Sequence, residues 1–330
     1  MGEIAVVGVT GAVGTELLRV MERRNFPVDR LHPLASPRSA GQSITFRGKE
    51  VTVKVANTES FANVSLAFFS AGATRSRALI PAARAAGALV VDNSSAFRMD
   101  PEVPLIVPEV NGDTLQSTAS LVANPNCVAA ILTMVLGPLA KRRNLRRVVV
   151  STYQSASGAG ARAMEDLLEQ TRDSLAGRPV VPKILKHPYA FNLFSHDSDV
   201  EDNHYNGEEN KVMAETRKIL GTPELPLSIT CVRVPVLRAH SMSVNVEFDK
   251  PLTPSDAAAA LETAPGVTVV NNHHKNHYPM PLEVSGMDDV QVGRIRRDPS
   301  SPNALNLFLC GDQLLKGAAL NAVQIAETLI

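Results

Sequence analysis

The segment EIAVVGVTGAVGTELLRVMERR, residues 3 to 24, constrains the fold more than any other. An unbroken apolar run reads as a strand buried on both faces. It breaks into glycines at 8, 11 and 14, and then Val13, Leu17, Val20 and Met21 recur at helical spacing. The rhythm repeats at once. SLAFFSA and ALVVDNSS flank TRSRALIPAARAAG, a second strand–helix–strand unit that continues to about LVANP. Such alternation predicts an α/β domain with a parallel sheet and helices on its faces.

The middle of the chain reads differently. RRVVVSTYQSASGAG is a strand ending in a glycine-rich turn, with a helix from about Ala161. LSITCVRVPVL and HSMSVNVEFD are strands close in sequence, which predicts an antiparallel sheet. TPSDAAAALETAPG is a capped helix, VQVGRIRRD and ALNLFLCGD are two more strands, and QLLKGAALNAVQIAETLI is helical. The long polar loop HPYAFNLFSHDSDVEDNHYNGEEN is a candidate functional segment on length alone.

Formal net charge is zero, which argues against a general nucleic-acid or anionic-membrane binder. No run reaches the length of a membrane span, and the N-terminus enters a strand pattern by the third residue. A cytoplasmic enzyme is the expectation. Cysteines 127, 231 and 310 cannot pair off and show no CxxC spacing, so neither a disulfide framework nor a zinc knuckle is expected. His273, His274 and His277 are read as a polar loop, with no metal.

The turn GVTGAVG is GxxGxxG rather than GxGxxG, but it lies between a strand and a helix, where backbone N–H groups cradle a pyrophosphate. After the next strand an NAD protein carries an acid to meet the ribose. Here SPRSAG offers Ser36, Arg38 and Ser39 and no carboxylate, so NADP is expected. Cys127 follows ANPN and opens an apolar helical run. A helix start favours thiolate over thiol, and the N–H groups of that turn suit an oxyanion. A buried inert cysteine remains the alternative on those grounds. Cys231 and Cys310 lie in strand patterns and read as core. His240 is a candidate acid/base, against the plain reading of a satisfied histidine. Seven residues part it from Arg233, so strand alternation does not put the two on one face. Arg98 follows a parallel strand's C-terminal end, where ligands bind. Glu208 and Lys211 share one side of a helix start, as a site pair or a solvated surface pair.

Together VGVTGAVG, SPRSAG, DNSSAFR, VPEVN, NPNC, STYQSASGAG, EENK, RVPVLRAHS, VGRIRRD and KGAALNAVQIAE run in order along nearly the whole chain. In this it resembles the aspartate-semialdehyde dehydrogenases. The resemblance implies a Rossmann-type parallel sheet plus an α+β catalytic and dimerisation domain, similar to glyceraldehyde-3-phosphate dehydrogenase. The NADP-binding domain would be 1–126 with 313–330, and the catalytic domain 127–312. The implied reaction is NADPH-dependent reductive dephosphorylation of aspartyl-4-phosphate to aspartate-4-semialdehyde, toward lysine, threonine and methionine. It implies Cys127 as nucleophile, His240 as acid/base and Gln154 as orienting group. Arg98 and Lys211 would bind phosphate, Arg233 the carboxylate and Glu208 the amino group, with Asn126 also at the substrate. Thr10, Gly11, Ala12, Val13, Arg38, Ser39, Ser157, Gly158 and Gln313 fall on cofactor positions. A homodimer or dimer of dimers is implied, with substrate and phosphate as ligands. Departures are Gln313 for the usual asparagine, and Ala239, Ala73 and Thr74 near positions where glycine is frequent. The rivals are an N-acetyl-glutamyl-phosphate reductase, for which Glu208 lacks a role, and a catalytically silent Rossmann-type binding protein.

Overall fold

A computed structural model describes residues 2–330. Met1, where the first expected domain begins, lies outside them. The described residues form two compact units, 2–126 with 318–330 and 127–317. The chain returns to the first unit at Ala318, where the sequence places the boundary at 313.

The first unit opens with β1 (Glu3–Val7), α1 (Ala12–Arg23) and β2 (Arg30–Ala35). A separate hairpin, β3 (Ser43–Phe46) and β4 (Lys49–Thr52), precedes the short β5 (Lys54–Val55). Then come β6 (Val64–Phe69), α2 (Ala73–Ala85), β7 (Leu89–Asp92), the single turn α3 (Pro108–Asn111) and β8 (Leu121–Ala123). Among the described residues six of these strands form a parallel sheet in the order β5-β2-β1-β6-β7-β8. The central strands β1, β6 and β7 are mostly apolar because both faces are covered: Ala5, Val6, Val7, Ala67, Phe68, Phe69, Val90 and Val91 are all buried. Gly8 turns the chain at φ +88°, and a Cβ on Gly14 would lie 2.2 Å from the Gly8 carbonyl oxygen. Only glycine lets α1 sit that close to the turn.

The second unit starts with α4 (Cys127–Ala140), β9 (Leu145–Gln154) and α5 (Ala161–Leu175). It continues through β10 (Phe194–Ser195), α6 (Gly207–Leu220), β11 (Leu227–Arg233) and β12 (His240–Phe248). The last part is α7 (Pro254–Glu262), β13 (Val267–Val269), the single turn α8 (Pro281–Val284), β14 (Val290–Arg297) and β15 (Ala304–Gly311). A π-helical turn, Leu315–Ala319, then leads into α9 (Leu320–Glu327). α9 belongs to the first unit, where Glu327 grips Arg24 at 2.7 Å and Asn321 reaches Asn124 at 2.7 Å.

The seven-stranded sheet of this unit, ordered β10-β11-β9-β12-β15-β14-β13, corrects the expectation of an antiparallel sheet. β11 and β12 are not neighbours. β9 lies between them, parallel to β11 and antiparallel to β12, so the sheet is mixed. α4 is buried on every side from Val128 to Gly137, which is why it shows almost no polar face.

Candidate active site

Sheet register assembles the first part of the site. β9 buries Val148, Val150, Thr152 and Gln154 on one face, and β11 buries Leu227, Ile229, Cys231 and Arg233. Parallel pairing aligns Arg233 with Gln154. On the other side of β9, β12 pairs Ser241 with Tyr153, so His240 begins its strand beside the end of β9. Three adjacent strand ends thus present Arg233, Gln154 and His240, all buried. The inserted strand β9 joins two residues that alternation along one strand does not.

His240 is fully buried. Its Nδ1 accepts the Ser155 backbone N–H at 3.0 Å, with Ser155 Oγ also at 3.0 Å. A neutral imidazole that accepts at Nδ1 carries its proton on Nε2. Nε2 is buried and has no hydrogen-bond partner among the described residues. Burial first, and the charge of Arg233 second, push the His240 pKa down to about 3. A Cβ on Gly158 would lie 3.0 Å from His240 Nε2 and 3.3 Å from Arg233 Nη1, so the bare glycine keeps that space open.

A second layer holds this histidine. Gln313 Oε1 accepts the Ala239 N–H at 3.0 Å, and its Nε2 donates to Ser157 Oγ. Ser157 Oγ is 3.0 Å from Ser155 Oγ. Ala239 has φ +73°, the left-handed conformation that explains why glycine is common there. The structure therefore joins two departures, because Gln313 reaches the amide of the strained Ala239. At the third, Gly72 supplies φ +85° just before α2 begins at Ala73.

The α6 start contributes charge. Asn206 and Glu209 form a reciprocal cap, and Glu209 also accepts the Cys231 N–H at 2.9 Å, tying the helix to β11. That fixes Glu208, which is buried, 3.3 Å from Gln154 Nε2 and 3.0 Å from Lys211 Nζ. The pair is not a solvated one: the carboxylate faces inward and the half-exposed lysine reaches over it.

Cys127 is the first residue of α4 and is half-buried. A Cβ on Gly317 would lie 2.7 Å from Cys127 Cβ and 3.2 Å from Gln313 Cβ. The cysteine thus shares the glycine's close neighbourhood with the residue that anchors Ala239. Burial pushes the thiol of Cys231 well above its usual range and that of Cys310 up to about 11, so both are inert core.

In the first unit Arg98 is buried and donates to the carbonyls of Asn124 at 2.9 Å and Asn93 at 2.7 Å. Asn126 is buried. Thr10 and Gly11 are exposed, Ala12 and Val13 open α1, and neither a side-chain cap nor an acid occupies its first turn. Free helix N–H groups beside a glycine turn fit a pyrophosphate. Arg38, exposed, and Ser39 lie on the 3₁₀ turn Pro37–Ser39 that follows β2. Among the described residues no three histidine, cysteine or acidic side chains gather as metal ligands, and His277 pairs with Glu283 at 2.9 Å.

Sequence reasoning did not single out Ser155, His196, Asp197 or Ser198. Ser155 follows Gln154 in the turn already marked by its glycines. The other three lie in the long polar loop marked by its length, and their contacts depend on β10 pairing with β11.

Comparison with known proteins adds a family. Residues 3–118 match the NAD binding domain of semialdehyde dehydrogenase, and residues 136–316 match its dimerisation domain. The chain is 50% identical to aspartate-semialdehyde dehydrogenase of Synechocystis, over 99% of this chain and 97% of that one. It is 46% identical to the Bacillus subtilis enzyme, over 99% and 96%. Aspartate semialdehyde dehydrogenase II of Vibrio cholerae, solved in complex with ASA, superposes with a TM-score of 0.94 at 39% identity, over 100% of this chain and 98% of that one.

Proposed function

The chain belongs to the aspartate-semialdehyde dehydrogenase family, and from that premise we propose how its residues divide the NADPH-dependent reductive dephosphorylation of aspartyl-4-phosphate to aspartate-4-semialdehyde. The observation that carries the reading is the buried row Arg233, Gln154 and His240 beside the inward-facing Glu208. A buried arginine next to a buried carboxylate suits a free amino acid head group, one charge for each.

Cys127 attacks the acyl phosphate carbon, the C–S bond forms and phosphate leaves. A thioester results, more open to hydride than a carboxylate. When bound, NADPH supplies that hydride. His240 holds a proton at Nε2 for the oxygen that gathers charge, while Ser155 fixes the ring through Nδ1. Collapse of the hemithioacetal frees aldehyde and thiol. Gln154 orients the reacting groups. Arg233 grips the carboxylate, Glu208 takes the ammonium in exchange for Lys211, and Lys211 and Arg98 serve the phosphate. Asn126, next to the nucleophile in the chain, lines the substrate.

The unit of residues 2–126 with 318–330 is the nucleotide-binding domain. Thr10 to Val13 take the pyrophosphate and Arg38 with Ser39 the 2′-phosphate. Ser157, Gly158 and Gln313 hold the nicotinamide end. The unit of residues 127–317 is the catalytic and dimerisation domain. Its exposed Tyr153 beside Phe308, 6.2 Å apart on the sheet face away from the helices, suits a second copy. A homodimer or dimer of dimers, acting in the cytoplasm, completes the reading. No described helix is long and apolar enough to cross a membrane.

The test is the reverse reaction. Aspartate semialdehyde, phosphate and NADP should yield NADPH, whereas N-acetyl-glutamate semialdehyde should not. Turnover of the acetylated substrate would favour the rival reductase, and none with either a silent binding protein. Arg38→Ala should weaken NADP about ten- to hundredfold and NAD far less, the scale of a lost charge-assisted bond. Equal weakening of both, in titrations of each cofactor, would show that Arg38 does not read the 2′-phosphate.

A further inference from the structure

Arg233 has supports that the reading above does not use. β10 runs antiparallel to β11 and pairs Phe194 with Arg233 and Ser195 with Val232. The next residue, His196, donates its N–H to the Cys231 carbonyl at 2.8 Å. That sets His196 opposite Cys231, on the face that Cys231 shares with Arg233 two residues on, with Asp197 and Ser198 following.

Arg233 Nη2 lies 2.8 Å from His196 Nε2, and Arg233 Nε lies 3.4 Å from Asp197 Oδ1. A guanidinium only donates, so His196 Nε2 must be the acceptor. The neutral ring can accept at only one nitrogen. The 2.8 Å contact to Arg233 takes Nε2, so the proton sits on Nδ1, facing Ser198 Oγ at 3.1 Å, and the Ser198 N–H, 3.2 Å from Nδ1, gives way. Burial, and then the charge of Arg233, hold the His196 pKa down to about 4, which keeps that form at neutral pH. Ser198 Oγ in turn accepts the Glu208 N–H at 3.1 Å.

We propose that His196, helped by Asp197, is the positioning residue that aims Arg233 at the substrate carboxylate and, through Ser198, sets its spacing from Glu208. This rests on Arg233 being the carboxylate-binding group. His196 and Asp197 hold two different nitrogens, so the planar fork cannot rotate about its stem. A fork free to turn loses its two-point grip, and a misplacement of about 1 Å is costly. The neutral imidazole also directs the guanidinium without cancelling its charge. A second carboxylate there would leave less charge to attract the substrate.

The experiment compares Arg233→Leu, His196→Leu and His196→Gln in the oxidative assay, with a thermal melt of each. Gln has an oxygen that reaches the place of Nε2. His196→Leu should raise KM for aspartate semialdehyde about tenfold or more and leave KM for phosphate unchanged. His196→Gln should recover most of that loss. If Arg233→Leu raises the semialdehyde KM and His196→Leu does not, the positioning role is overturned and the Arg233 reading stands. If Arg233→Leu leaves that KM unchanged, the Arg233 reading fails and takes the proposal with it. Equal loss in the Leu and Gln variants also overturns it. Should His196→Leu melt early, His196→Asn, polar but too short to reach, replaces it with the same expected outcome.

Discussion

Replacing Cys127 with alanine is expected to lower turnover ~10⁶-fold, or to background, the scale on which removal of a catalytic nucleophile acts. No neighbouring group can take over. Cys231 and Cys310 are buried with thiols held in the protonated form, and both sit in sheet strands. Alanine is the best helix former, so α4 keeps its first turn. The half-buried position leaves little cavity behind. The melting temperature and NADP affinity should therefore stay close to those of the parent. Steady-state turnover clearly above contaminating parent enzyme, in protein shown to be folded, would remove Cys127 as the nucleophile.

His240→Asn is the second large effect. Asparagine can still accept the Ser155 N–H, so the backbone around residue 155 keeps its partner. It cannot place a proton where Nε2 now stands. The expected loss is about 10²–10⁴-fold in kcat, the usual range for an acid/base group, with KM little changed. Alkylation of Cys127 should continue in this variant, which separates the histidine's part from the thiol's. A change confined to KM would make His240 a binding residue.

Much of this architecture could be read from the chain because the first unit is written locally. Each of its strands and helices carries its own period, and the glycines at 8, 11 and 14 mark one turn. The second unit is not written that way. β11 and β12 are close in sequence, yet β9, from far upstream, lies between them. No local pattern encodes that insertion, and it alone brings Arg233 and His240 to one row. Cys127 at a helix start and Glu208 with Lys211 at another could be picked out from capping and spacing. Whether Glu208 faced water or the interior could not, because its burial follows from the tie between Glu209 and β11. Ser155 and His196 show the same limit. Each matters for the partner it meets on another strand, and neither carries a signature of its own.

The central claim is that Cys127 carries the acyl group, and one pre-steady-state measurement tests it. Mix the enzyme with aspartate semialdehyde and NADP, leave phosphate out, and follow NADPH formation. The thiol adds to the aldehyde, the hemithioacetal is oxidised, and the thioester waits for phosphate. The account predicts a burst of one NADPH per active site, then near silence until phosphate is added. Acid-quenched protein should carry the mass of one aspartyl residue on the peptide holding Cys127. Cys127→Ala should give no burst. If NADPH forms only once phosphate is present, and the Cys127 peptide stays unmodified, the thioester mechanism is wrong for this protein.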